Sequence, residues 1–136
     1  MRRWGAGAAA AAVVLLASGC SAQEALSLNA PEGATESVKA CMVKFAASDD
    51  PDFRARAVAI KEERSHMVKE HLWVLWTDYF KAPHFEKYPQ LNGLFNEATK
   101  LAGAGGTKGT NDVAVADALL AKIDEIAEIF WETKAA

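Results

Sequence analysis

The side chains with the most capacity for chemistry lie close together in the chain, between Glu62 and His84. Met67 and His71 are four residues apart and so share one face of a helix, and both are ligand types for haem iron and copper. One helix supplies too few ligands for a tight site, so a cofactor held there needs a further ligand such as His84 or Met42. Without one, His71 is a core histidine bonded to a neighbouring carbonyl or acid. Glu63-Arg64-Ser65-His66 has the Glu-x-x-His spacing of di-iron bundles, but such sites need a second pair and two more inward glutamates, and the chain has no second pair. Helical geometry puts His66 on the far side of the same helix with Glu62, Glu63 and Glu70, which predicts a solvated ion pair.

From Leu72 onward the stripe turns aromatic, with Trp73, Trp76, Tyr79 and Phe80 followed by His84, Phe85 and Tyr88 in a chain that is only 9% aromatic. Aromatic side chains dominate burial energetics, which makes this segment the centre of a core. Trp and Tyr are also the usual anchors of interfaces, which makes Met67, His71, Trp73, Trp76, Phe80 and His84 a candidate patch for a small apolar ligand or a protein partner. The run Gly103 to Thr110 invites a phosphate-loop reading that its spacing refuses, because Lys108 stands where the second glycine belongs and a helix precedes it. No nucleophile–base pair and no metal motif occurs. The residues by themselves therefore predict a non-catalytic binding protein without a cofactor; the alternative is a bundle binding haem or copper non-covalently through Met67 and His71, for electron transfer or metal handling.

These side chains need helices to position them, and four are predicted. The first runs from Thr35, as N-cap, to Ala47, with Val38, Cys41, Met42 and Phe45 on one face. The second runs from Pro51 to Phe80, carrying Phe53, Ala57, Ile60, Arg64, Met67, Val68, His71 and Leu75 as its stripe. At about 45 Å it is long enough that a bend or break is expected. The third starts near Tyr88-Pro89 and presents Leu91, Leu94, Phe95, Ala98 and Leu101. A flexible glycine-rich connection leads to the fourth, capped by Thr110 or Asn111, whose face is Ala116, Leu119, Leu120, Ile123, Ile126, Ala127 and Phe130. With no strand alternation, the expected fold is all-α, an antiparallel four-helix bundle over residues 34–136.

A chain of 136 residues has room for one core, and a net charge of −3 leaves no basic face for nucleic acid. The first residues stand apart from the fold. Arg2 and Arg3 precede an apolar stretch from Ala6 to Leu16 that is too short to span a bilayer, and small residues follow. Leu16-Ala17-Ser18-Gly19-Cys20 resembles the bacterial lipobox, although the leucine stands one place further from the cysteine than is usual. That resemblance implies a signal peptide over 1–19, a lipid on Cys20, a tether over 20–33, and membrane attachment in the envelope. Ser21 then implies the outer membrane, with the domain facing the periplasm, where an envelope protein is the expected partner. Cys41 is left as a buried small hydrophobe.

The last two helices, Phe85 to Lys134, resemble the closing half of the cytochrome c-prime and soluble cytochrome b bundles: an alanine-rich helix ending Ala98-Thr99-Lys100-Leu101-Ala102, a glycine-bearing connection, and a final helix ending in aromatics. The stretch Ile126 to Glu132, where those families place a haem ligand, has neither Cys nor His. The resemblance thus implies their fold without their haem.

Overall fold

Asp50-Pro51 starts the longest helix for reasons internal to the dipeptide. The Asp50 carboxylate accepts the Asp52 N–H at 3.1 Å, and Pro51 occupies a first-turn position whose N–H would have no partner. In the computed structural model, which describes residues 29–136, this helix is the second of five: α1 (Asn29–Ala46), α2 (Pro51–Val74), α3 (Ala82–Lys87), α4 (Leu91–Leu101) and α5 (Val113–Ala135). The described residues contain no strand, as expected of an all-helical bundle.

Several boundaries differ from the expected ones. The bend anticipated in α2 is a five-residue π segment, Leu75–Tyr79, which widens the last turn before Phe80 leaves in an extended conformation. Pro83, beyond the end of that helix, sits in the first turn of the short α3, where His84 Nδ1 accepts the Lys81 N–H at 3.0 Å. Asp112, not Thr110 or Asn111, caps α5 by accepting the Ala114 N–H. Thr35 is not a cap either. Its hydroxyl is buried and donates to the Pro31 carbonyl at 2.6 Å within α1, which begins at Asn29 and so takes in residues 29–33 of the expected tether.

The core joins Ala34 of α1, Val68 and Leu72 of α2, and Leu75 and Phe80 beyond them to Leu91, Leu94, Phe95 and Ala98 of α4 and Leu119, Ile123, Ile126, Ala127 and Phe130 of α5. Val38 and Met42 pack with Ala116 in a smaller cluster beside it. The α4 and α5 stripes are therefore nearly those expected, but that of α2 is rotated. Phe53 and Ile60 are exposed, while Lys61 and Ser65 are buried.

The cause of that rotation is the glycine segment, which is clamped to α2 rather than a loose connection. Lys61, 1% exposed, donates from Nζ to the Thr110 carbonyl at 2.6 Å and pairs with Glu62 at 3.0 Å. Thr107, fully buried, donates its hydroxyl to Ser65 at 2.8 Å, and the Gly109 N–H donates to Glu62 at 2.8 Å. Gly106 makes the clamp possible: a Cβ there would lie 1.9 Å from the Leu101 carbonyl oxygen, so only glycine lets the backbone turn back this closely. Gly109, at φ 83°, supplies the left-handed residue that ends the turn.

Candidate functional site

Helix α2, its π segment and α3 carry every residue of the expected patch except Phe80, which lies between the last two, and the fold distributes them over different environments. His71 is 1% exposed and faces the core, and Met67 packs half-buried against that core with the Arg64 guanidinium 3.4 Å from its sulfur. Trp73 points outward, 42% exposed, with Lys69 over its ring and His66 at its edge. Trp76 stacks on Phe95 at 5.6 Å with its indole N–H donated to Asn92 at 2.9 Å.

Phe80 is 2% exposed, and Tyr79 and His84 stack in parallel beside it. Tyr79 also packs against Phe130, and the Tyr88 hydroxyl donates to Glu132 at 2.6 Å. The aromatic segment is thus the knot that ties the end of α2 to α3, α4 and α5, which is the core alternative of the sequence reading; Trp73 is its outward-facing member.

His66 occupies the solvated face as expected, with Nε2 3.3 Å from Glu70 and Nδ1 3.3 Å from Lys108. His66→Ala should therefore change stability by no more than a few tenths of a kcal/mol, whereas His71→Ala should cost about 2–3 kcal/mol through the void and the polar atoms it strands. Urea unfolding of the two variants checks the contrast.

Electrostatics separates the remaining groups. Burial pushes the Cys41 thiol up, against the opposing pull of Lys44, Arg64 and Lys61, so without a metal beside it the group stays protonated at neutral pH. Burial would also raise Glu62, but the Gly109 N–H and Lys61 outweigh it and hold the carboxyl below its usual range. Sequence reasoning missed Lys61 because a lysine on a helix is ordinarily solvated. The available signal was its four-residue spacing from Ala57 and Ser65, both also buried.

The family model described as nickel-containing superoxide dismutase matches residues 27–134. The chain belongs to the nickel-containing superoxide dismutase family. It is 52% identical over 101 residues to a nickel superoxide dismutase of Streptomyces coelicolor, covering 74% of this chain and 76% of that relative, and equally so to one of Streptomyces seoulensis. The native nickel superoxide dismutase structure at 1.30 Å superposes with a TM-score of 0.78 at 47% identity, covering 81% of this chain and 92% of that one. An apo structure of nickel superoxide dismutase superposes at 0.75 with 49% identity, covering 78% and 94%.

Membership in the nickel-containing superoxide dismutase family corrects several expectations. The likeness of residues 85–134 to cytochrome bundles is a likeness of generic helical composition, since one family match spans that half and the preceding one together. A non-catalytic binding protein and its haem- or copper-binding alternative both give way, because the relatives bear the name of an enzyme that contains nickel. The lipid-anchored envelope protein of the outer membrane, with its membrane attachment and envelope partner, gives way on the same finding. That reading rested on the leader and on elimination, and neither carried information about the domain. Cys20, its proposed lipid site, lies outside the described residues, as does the signal over 1–19.

The described residues do not fit the family's nickel. No group of three or more His, Cys, Asp or Glu side chains among them could hold a metal ion. His66 is engaged with Glu70 and Lys108, and His84 Nδ1 is spent on the Lys81 N–H. Cys41 has the cations Lys44, Arg64 and Lys61 around it, which repel a metal ion, and belongs to no donor group. Residues 1–28 contain one thiol, Cys20, and no histidine.

Proposed function

We propose that this chain acts on superoxide, converting two superoxide anions and two protons to dioxygen and hydrogen peroxide, with the helical domain as the platform and not as the metal site. The observation that carries this reading is the family match over residues 27–134, which takes in the whole described bundle apart from its last two residues. The donor inventory supports the second half of the statement: a redox metal cannot be assembled from His66, His71, His84 and Cys41, which lie on different faces of α1, α2 and α3 and carry other duties.

The test is superoxide decay followed by stopped flow on the full chain, produced with nickel in the medium and assayed for nickel by mass spectrometry. Decay should exceed the spontaneous rate, and Cys41→Ala, His66→Ala and His84→Ala should keep that rate and the parent chain's nickel content. Decay no faster than the spontaneous rate at every nickel content overturns the activity. Loss of nickel in any of those three variants overturns the assignment of the domain as platform.

A further inference from the structure

The seam between α1 and α5 gathers four acids, Glu32, Glu36, Asp124 and Glu128, that have no cation of their own. Its register is set by the ion pair of Lys39 with Asp117 at 2.7 Å and by the packing of Val38 and Met42 on Ala116. Seven residues toward the start of α1 lead to Glu32, and seven toward the end of α5 lead to Asp124, roughly two turns along each helix in opposite directions. The two residues therefore face each other across the seam, near enough for the Asp124 charge to act on Glu32, with Glu36 one turn from Glu32 and Glu128 one turn from Asp124.

Among the described residues no lysine or arginine forms an ion pair with any of these four. Lys39 is taken by Asp117, and Lys122, the lysine of α5 nearest Asp124 in sequence, turns to Glu97 of α4 at 2.8 Å. The side of α1 that faces α2 offers no relief either: Ala34 shares its core with Val68, Leu72 and Leu75, all uncharged, and His71 is the titratable group of that stretch.

We propose that this seam is a pH-operated latch in which the first two turns of α1 lie tight against α5 when a carboxyl of the four holds a proton, and loosen when all four are ionised. Helix α1 joins the bundle to residues 1–28, so the latch sets how firmly that segment's point of attachment is held. The direction of the effect follows from the shifts. Burial, then Glu36 and Asp124, raises Glu32 from 4.5 to about 7, and burial with Glu128 raises Asp124. A carboxyl raised in the folded state favours folding while protonated. Its contribution is complete below about 4.5 and is lost as pH rises to about 7.

Amide hydrogen exchange of the full chain, compared at pH 5 and pH 8 after correction for the intrinsic pH dependence of exchange, reads this directly. Protection of residues 29–36 should fall about tenfold relative to residues 38–46, the large shift being discounted because Glu32 is half exposed to water. In Glu32→Gln the pH 5 protection should persist at pH 8. Asp124→Asn tests the same seam from α5 and should flatten the profile as well. Equal protection at both pH values in the parent chain, or an undiminished fall in both variants, overturns the latch.

Discussion

Ile123→Asp should unfold the domain, with far-UV circular dichroism losing most of its helical signal at 25 °C and neutral pH. Ile123 is fully buried on α5, in the cluster that also holds Ala34 of α1, Val68 and Leu72 of α2 and Leu94 of α4. Removing the aliphatic side chain costs about 2–5 kcal/mol in lost burial and residual void. The carboxylate adds a desolvation penalty of several kcal/mol with no partner. Glu32 and Asp124 nearby are already raised above the usual carboxylate range by burial and by neighbouring acids, so a further negative charge finds repulsion there and no relief. The sum approaches the whole stability of a typical domain, about 5–15 kcal/mol. Ile123→Val, which removes one methylene, should cost only about 1 kcal/mol, so a folded Ile123→Asp would show that α5 is not the organising helix.

Lys61→Ala should cost about 3–5 kcal/mol, a drop of more than about 12 °C in the thermal midpoint. The ammonium is the bolt between α2 and the glycine segment. Its loss strands the Thr110 carbonyl, leaves Glu62 with the Gly109 N–H alone, and opens a void under Thr107 and Ser65. Lys61→Met keeps most of the stem and loses the charge, which separates packing from bonding: it should recover part of the stability but not the protection of the Gly109 amide in hydrogen exchange. A midpoint within about 2 °C of the parent for Lys61→Ala would mean that the segment is held by Thr107 and Gly106 alone.

The contrast between α5 and α2 shows how much of the fold was legible. The stripe of α5 combines clean 3.6-residue spacing with strongly apolar side chains, and six of its seven expected members, all but Leu120, are buried. Such a face has one way to leave water, so periodicity alone located it. Helix α2 is nearly as long, but its expected face includes Phe53 and Ile60, which are exposed, and omits Lys61 and Ser65, which are buried. A polar residue enters the interior only when a partner satisfies it, and here the partners are Thr110 and Thr107, 49 and 42 residues away. No local pattern encodes a bond over that distance.

The candidate site divides in the same way. The sequence alone determined the helical class, the solvated pairing of His66 with Glu70 and the crowding of aromatic residues at the end of α2, because each follows from residue type and short-range spacing. Tertiary structure decided which members of the patch meet. It buried His71 and Phe80, turned Trp73 outward and left the histidines on separate duties. It also brought Glu32 within electrostatic reach of Asp124, 92 residues away in the chain. Family membership was invisible to motif reasoning for a related reason: the resemblance to superoxide dismutases lies in residue identities spread over some hundred positions and not in a local set of metal donors, and the described residues contain no such set. Packing is a many-body property of stripes that must fit one another, whereas a motif is a property of a few neighbouring residues.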